Sequence, residues 1–223
     1  MRFRDRTDAG QRLAARLPTY AGRRDVVVLA LPRGGVPIAV EVARELGAPL
    51  DMMLVRKLGV PGHSELAMGA IAAGGVRILS EDLIAELGIP RPLVEQVVVR
   101  ERLELDRRER AYRGDRPMPN LRDRTVIVID DGLATGSTME AAVAALRIQE
   151  PARIVVAVPV GAAETCHRLQ QVADEVVCVE TPTPFNAVGL WYERFDQVSD
   201  DEVISLLRST AGTAAPVGDG GSA

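Results

Sequence analysis

Short, unbroken apolar runs recur along this chain, and they constrain the fold more than any other feature. VVVLAL (Val26 to Leu31), DMMLV (Asp51 to Val55), TVIVID (Thr125 to Asp130), RIVVAVPV (Arg153 to Val160) and EVVCV (Glu175 to Val179) are the clearest. A strand with one wet face alternates apolar and polar residues. A strand covered on both faces does not. Helical patterns fill the gaps. IAVEVAREL closes at Gly47, and EDLIAEL has Ser80 before it and Gly88 after it. A longer helix is expected from about Pro92 to Tyr112, and an alanine-rich one runs to about Ile148. Another lies near Ala162 to Gln171, and a last one, capped by Ser199 or Asp200, ends near Arg208. ELAMGAIA and VRIL are two further strand candidates. The alternation predicts an α/β fold, a doubly wound and mainly parallel sheet with helices on both faces and right-handed crossovers. Ligands of such sheets bind beyond the carboxyl ends of the strands, at a switch in strand order. The turns after Leu31, Val55, Asp130 and Val160 are therefore the ones that matter.

A chain of 223 residues accommodates one sizeable α/β domain, expected over 1–208. The remainder, 209–223, has the composition of a disordered tail. No apolar run approaches the ~20 residues that span a bilayer. The N-terminus MRFRDRTDAG lacks the apolar stretch of a signal peptide. Two cysteines cannot build a disulfide framework at this size, so a reducing, cytoplasmic setting is expected. The net charge of −4 gives no reason to expect a nucleic-acid partner. The charged second half of the long helix reads as a solvated face with acid-before-base pairs at Glu104–Arg108, Asp106–Arg110 and Glu109–Arg113.

The turn after TVIVID reads Asp130, Asp131, Gly132, Leu133, Ala134, Thr135, Gly136, Ser137, Thr138. Two carboxylates stand where the strand runs out, followed by a small-residue turn and hydroxyls opening a helix. The amides of such a turn bind an anion, aided by the helix dipole. Phosphate at one end and carboxylates at the other suit a phosphorylated sugar. The acids accept from ribose hydroxyls and can help hold a hard cation such as Mg²⁺. The turn is not a P-loop, which needs a lysine after the glycine, and LPRGGV is not a dinucleotide fingerprint. Near the expected ligand edge, Arg33 stands beside Gly34 and Gly35, and Arg56 and Lys57 follow another strand. Lys57 is the single lysine beside 26 arginines. A compact point charge in that place suits a phosphate.

VIVIDDGLATGSTMEAA resembles the phosphoribosyl-pyrophosphate (PRPP) motif of type I phosphoribosyltransferases. The segments LPRGGVPIAVEVA, VRKLGVPGHSELAMGAIA and PTPFNAVGLWYERFDQVSDDEV resemble a subgroup of predicted phosphoribosyltransferases. The resemblance implies that Asp130 and Asp131 hold the ribose 2′- and 3′-hydroxyls of PRPP and contribute to a Mg²⁺ site, partly through PRPP and water. It implies that Ala134, Thr135, Gly136, Ser137 and Thr138 wrap the 5′-phosphate. Arg33, Gly34 and Gly35 match a loop that meets the pyrophosphate and often holds a cis non-proline peptide. The segment carrying Arg56 and Lys57 matches a flexible lid, with Gly59, Pro61 and Gly62 as its mobile turn and His63 and Glu65 within it. A small hood is expected within 74–120 and 181–199.

The implied reaction is displacement of pyrophosphate from C1 of PRPP by a nitrogenous base or related small acceptor, with oxocarbenium character in the transition state. It needs positioning and charge stabilisation by Mg²⁺, Arg33 and Lys57 rather than a covalent nucleophile. The acceptor is less defined. Ala134 stands where enzymes of 6-oxopurine salvage carry a carboxylate, and neither the adenine nor the orotate loop signature is complete. Four of the seven aromatics fall between Phe185 and Phe195. Phe185 and Trp191 are expected to stack on a planar acceptor, and Tyr192 and Phe195 to pack. Two other readings stay open: a regulator that senses PRPP without turnover, and a hydrolase of a phosphorylated ribose. Oligomeric state is open too, a homodimer included.

Overall fold

The computed structural model describes residues 2–114 and 116–211. The first described residues, Arg2 to Asp5, precede helix α1 (Arg6–Ala14). Strand β1 (Val26–Ala30) then leads through the Pro32–Gly34 turn into α2 (Gly35–Leu46) and β2 (Leu50–Met52). The chain next leaves the main sheet for a hairpin, β3 (Val55–Val60) and β4 (His63–Ala72), edged by β5 (Arg77–Leu79). Helices α3 (Glu81–Glu86) and α4 (Arg91–Arg113) follow. The chain returns with β6 (Thr125–Ile129), α5 (Ser137–Arg147), β7 (Arg153–Val160), α6 (Ala163–Leu169), β8 (Glu175–Glu180) and α7 (Asp200–Ala211).

The main sheet has five strands in the order β2-β1-β6-β7-β8, and every pairing is parallel. Each central strand feeds two cores. Val26, Val28, Ala30, Ile127 and Ile129 face one layer with residues of α1, α2, α4 and α7. Val27, Leu29, Val126 and Val128 face the other, with Met139, Val143 and Leu146 of α5 and Leu169 of α6. That division is why β1 and β6 are buried at every position. The doubly wound parallel sheet expected from the sequence is the sheet observed.

The order reverses between β1 and β6: the chain goes outward to β2, then crosses to the other side of β1. Their register aligns Val26 with Thr125 and Ala30 with Ile129. Consequently Leu31 and Asp130 leave the sheet side by side, and a crevice opens between the two following loops.

One strand boundary differs from the expectation. The run DMMLV is not one strand. β2 ends at Met52, and Val55 opens an antiparallel hairpin, with Lys57 opposite Ala70 and Arg56 opposite Ile71. The apolar run is continuous because Met52, Met53 and Leu54 are all buried while the chain passes from one sheet to the other. The lid expected after Val55 is thus built on β-structure, with a turn at Pro61–Gly62, where Gly62 has φ 82°. The last helix continues to Ala211, beyond the expected end near Arg208. The rest of the expected tail, 212–223, lies outside the described residues, as does the Glu65 side chain.

Candidate active site

The two loops at the switch point touch through glycine. A Cβ at position 34 would lie 1.9 Å from Asp131 Oδ2, and one at 35 would lie 2.5 Å from the Ile129 carbonyl oxygen. Only hydrogen at these positions lets the Arg33 turn close against the acid pair. The Pro32–Arg33 peptide bond is cis. Arg33 Nη1 lies 3.6 Å from Asp200 Oδ1 at the start of α7, and Tyr112 of α4 donates to the same carboxylate oxygen at 2.5 Å. Burial and that carboxylate push the Tyr112 hydroxyl up to about 12.

Asp130 accepts the Asp131 amide at 2.8 Å. Burial first, and then the neighbouring Asp131 charge, push the Asp130 carboxyl well up from its usual range. Burial also raises Asp131, opposed by Arg6. Arg6, at the start of α1, donates to Asp131 Oδ2 from Nη2 at 2.8 Å and from Nε at 3.2 Å. Two carboxylates forced together out of bulk water favour one shared or neutralised charge unless a cation stands beside them. Here the cation is Arg6.

The turn from Ala134 to Thr138 is held from behind. Leu133 pairs with Gly161 past the end of β7, Thr165 Oγ1 donates to the Ala134 carbonyl at 2.7 Å, and Arg168 Nη2 donates to the Thr135 carbonyl at 2.5 Å. Gly136 has φ 76°, and a Cβ there would lie 2.5 Å from the Thr165 methyl. Conformation and space both require glycine. With the carbonyls engaged behind, the amides of Ala134, Thr135 and Gly136 donate to no protein acceptor among the described residues. Ala134, Thr135 and Thr138 are exposed. An outward-facing row of amides at the N-terminus of α5 is an anion cradle.

The structure gathers several of the expected residues and separates others. Thr138 and Arg56 line one small cavity with Leu31, Pro32 and Arg108. Arg56 donates to Glu101 of α4, from Nε at 2.9 Å, so its charge is already partnered. Lys57 lies on β3, and His63 is exposed at the start of β4. Phe185 and Trp191 are half-buried against the main core rather than splayed into solvent. Their segment still reaches the site, since a Cβ on Gly132 would lie 2.6 Å from the Val188 side chain. Tyr192 and Phe195 do pack, but on the N-terminal segment. Tyr192 meets Phe3 at 5.4 Å and Phe195 at 4.9 Å between ring centroids.

Residues 4–194 match the family described as the phosphoribosyl transferase domain. The chain belongs to this family. It is 46% identical over 205 residues to a Mycobacterium tuberculosis protein provisionally named a phosphoribosyl transferase, found alike in two strains of that organism. The alignment covers 92% of this chain and 46% of that protein, so this chain spans under half the length of those relatives. A crystal structure from Thermus thermophilus superposes with a TM-score of 0.86 at 43% identity, covering 94% of this chain and 99% of that one.

For a phosphoribosyl transferase domain, the sequence reading missed three groups. Arg6, Thr165 and Arg168 contact the motif from elements distant in sequence, and no local pattern marks them. The charged α4 held another surprise. Arg113 is buried, donating to Asp51 at 2.7 Å and to the Met52 carbonyl at 3.0 Å, and so ties α4 to the strand end. Of the three expected helix pairs, Glu104–Arg108 and Glu109–Arg113 are ion pairs, while Arg110 instead donates to the Asp106 carbonyl. Among the described residues no cluster of three or more His, Cys, Asp or Glu could hold a metal. The crevice offers the adjacent carboxylates Asp130 and Asp131. That set fits Mg²⁺, which is commonly held by one or two carboxylates completed by substrate phosphates and water. Among the described residues no helix is long and apolar enough to cross a membrane.

Proposed function

We propose that this domain transfers the 5-phosphoribosyl group from PRPP to a nitrogenous base or related small acceptor, releasing pyrophosphate, with Mg²⁺ as cofactor. The observation that carries this reading is the crevice between β1 and β6. There an acid pair and a row of undonated amides flank a glycine contact that admits no side chain. Asp130 and Asp131 accept from the ribose hydroxyls. Ala134 to Thr138 take the 5′-phosphate. Arg33, Gly34 and Gly35 meet the pyrophosphate, and Lys57 reaches it from the β3–β4 hairpin, with Arg56 at the base of that hairpin. Phe185 and Trp191 lie in the segment assigned to the acceptor.

Asp130 and Asp131 would hold Mg²⁺ together with PRPP and water. Bound there, the ion supplies charge neutralisation for the leaving pyrophosphate. The protein's own work is to align C1 with the acceptor and to keep water from competing. A cytoplasmic location and a homodimer fit this reading and are part of it.

The test is a screen of nitrogenous bases with PRPP and Mg²⁺, read as pyrophosphate release, beside calorimetry of PRPP alone. Release that depends on one base supports transfer. Binding without release under any base turns the reading toward a PRPP sensor, and release without a base toward a hydrolase. Absence of PRPP binding overturns it.

A further inference from the structure

Arg6 belongs to no motif, yet its guanidinium is spoken for on every side. Nε and Nη2 both donate to Asp131 Oδ2, at 3.2 and 2.8 Å. Nη1 donates to the Asp196 carbonyl at 2.7 Å. The Phe195 ring lies 4.0 Å from its central carbon. The side chain is 12% exposed. An arginine held this completely has lost its rotamer freedom already, and its fork points at one oxygen of one carboxylate.

The residues just before Arg6 are fastened to the aromatic segment around Trp191, while the rest of α1 packs in the core over the sheet. Phe3 donates to the Trp191 carbonyl at 2.8 Å, Glu193 donates to the Phe3 carbonyl at 2.8 Å, and Arg194 donates to the Arg4 carbonyl at 3.0 Å. Tyr192 Oη donates to the Asp131 carbonyl at 2.7 Å. Asp131 is therefore gripped twice by one unit: its main chain by Tyr192 and its carboxylate by Arg6. Both Arg6 donors take Oδ2, and Oδ1 has no protein donor among the described residues. A carboxylate fixed through one oxygen presents the other to a ligand hydroxyl without a reorganisation cost.

We infer that Arg6 is a positioning residue for the ribose half of the substrate, fixing Asp131 through Oδ2 so that Oδ1 receives a sugar hydroxyl. The inference rests on the proposed PRPP reading and deepens it. Arg6 acts through Asp131 and does not touch PRPP. Its loss therefore weakens recognition of the sugar and leaves untouched the recognition of metal-free pyrophosphate, which in that reading falls to Arg33, Gly34, Gly35 and Lys57. Simple damage to the fold would weaken both.

The experiment is calorimetry with two probes, PRPP–Mg²⁺ and inorganic pyrophosphate without Mg²⁺, on wild type, Arg6→Gln, Arg6→Lys, Asp131→Asn and the Arg6→Gln/Asp131→Asn double variant. Arg6→Gln is expected to weaken PRPP by about tenfold to a hundredfold, the range for losing hydrogen bonds to a charged group, with pyrophosphate unchanged. Arg6→Lys should recover part of the loss, because it restores the charge without the fork. In the double variant Arg6→Gln should add little to Asp131→Asn. Equal weakening of both probes, full additivity in the double variant, or unchanged PRPP affinity in Arg6→Gln would each overturn the inference while leaving the PRPP reading standing. Failure of wild type to bind PRPP would overturn both.

Discussion

The two halves of the proposed PRPP site are built on opposite principles. The acid pair and the phosphate turn hang from β6, whose five residues are all buried between two cores. Behind them stand Thr165 and Arg168, and in front of them Gly34 makes a contact with no room for a methyl group. The β3–β4 hairpin carries Arg56 and Lys57 outside the main sheet. Only Leu58 and Val60 of β3 are buried, and the turn at Pro61 and Gly62 is exposed. The difference separates two tasks. A group that recognises the sugar must be in place before substrate arrives, so it is fixed by packing. A group that meets leaving-group charge acts late and has to let substrate in first, and it sits outside the main sheet on a hairpin whose turn is exposed.

The comparison breaks most visibly at Gly34. Gly34→Val places branched carbon where Asp131 Oδ2 now lies, and the acid pair must move. Misplacing a reacting constellation by about 1 Å costs about a hundredfold. We expect PRPP binding to fall at least that far by calorimetry, with the far-ultraviolet circular dichroism of the sheet and helices unchanged. Wild-type affinity would show that the fixed half is not fixed. Asp131→Asn is the milder cut in the same half. It keeps shape and loses charge, and PRPP affinity should drop by about tenfold to a hundredfold.

The hairpin half should fail differently. Lys57→Ala is expected to lower kcat by about tenfold, the size of losing one charge-assisted contact, while KM for PRPP moves by a smaller factor. Steady-state kinetics with varied PRPP separate the two. A raised KM with kcat unchanged would mean that the hairpin binds ground state and transition state alike, and the contrast between the halves would collapse.

How much of this was legible in the sequence follows the same division. The parallel sheet, its switch point and the Asp130–Thr138 turn are local patterns: apolar runs without alternation, two acids at a strand end, a glycine before helix-opening hydroxyls. Each is written in consecutive residues. The hairpin was harder. Met52, Met53 and Leu54 are buried for two different reasons, the end of one sheet and the passage to another, and burial alone leaves the same apolar mark. The long-range braces left no mark at all. Arg6 meets Asp131 across 125 positions, Thr165 meets Ala134 across 31, and buried Arg113 looks in the sequence like its solvated neighbours on α4. The aromatic cluster was only half legible. Its scarcity singled it out, but Tyr192 and Phe195 turn toward Phe3 and Arg6, a partner segment that periodicity does not reveal.

The smallest expected effect lies between the two halves, at the acceptor. Trp191 is half-buried against the core, and its carbonyl anchors the N-terminal segment through Phe3. Trp191→Leu keeps most of that packing and removes the flat face. If a planar acceptor stacks there, its KM should rise by about threefold, in line with one aromatic contact, while KM for PRPP stays put because the acid pair and phosphate turn are untouched. If KM for PRPP rises instead, Trp191 serves the latch that holds Arg6 on Asp131. The aromatic segment would then belong wholly to the fixed half, and recognition of the acceptor would have to be sought nearer the β3–β4 hairpin. Measuring both constants in one variant thus decides on which side of the contrast the aromatic segment falls.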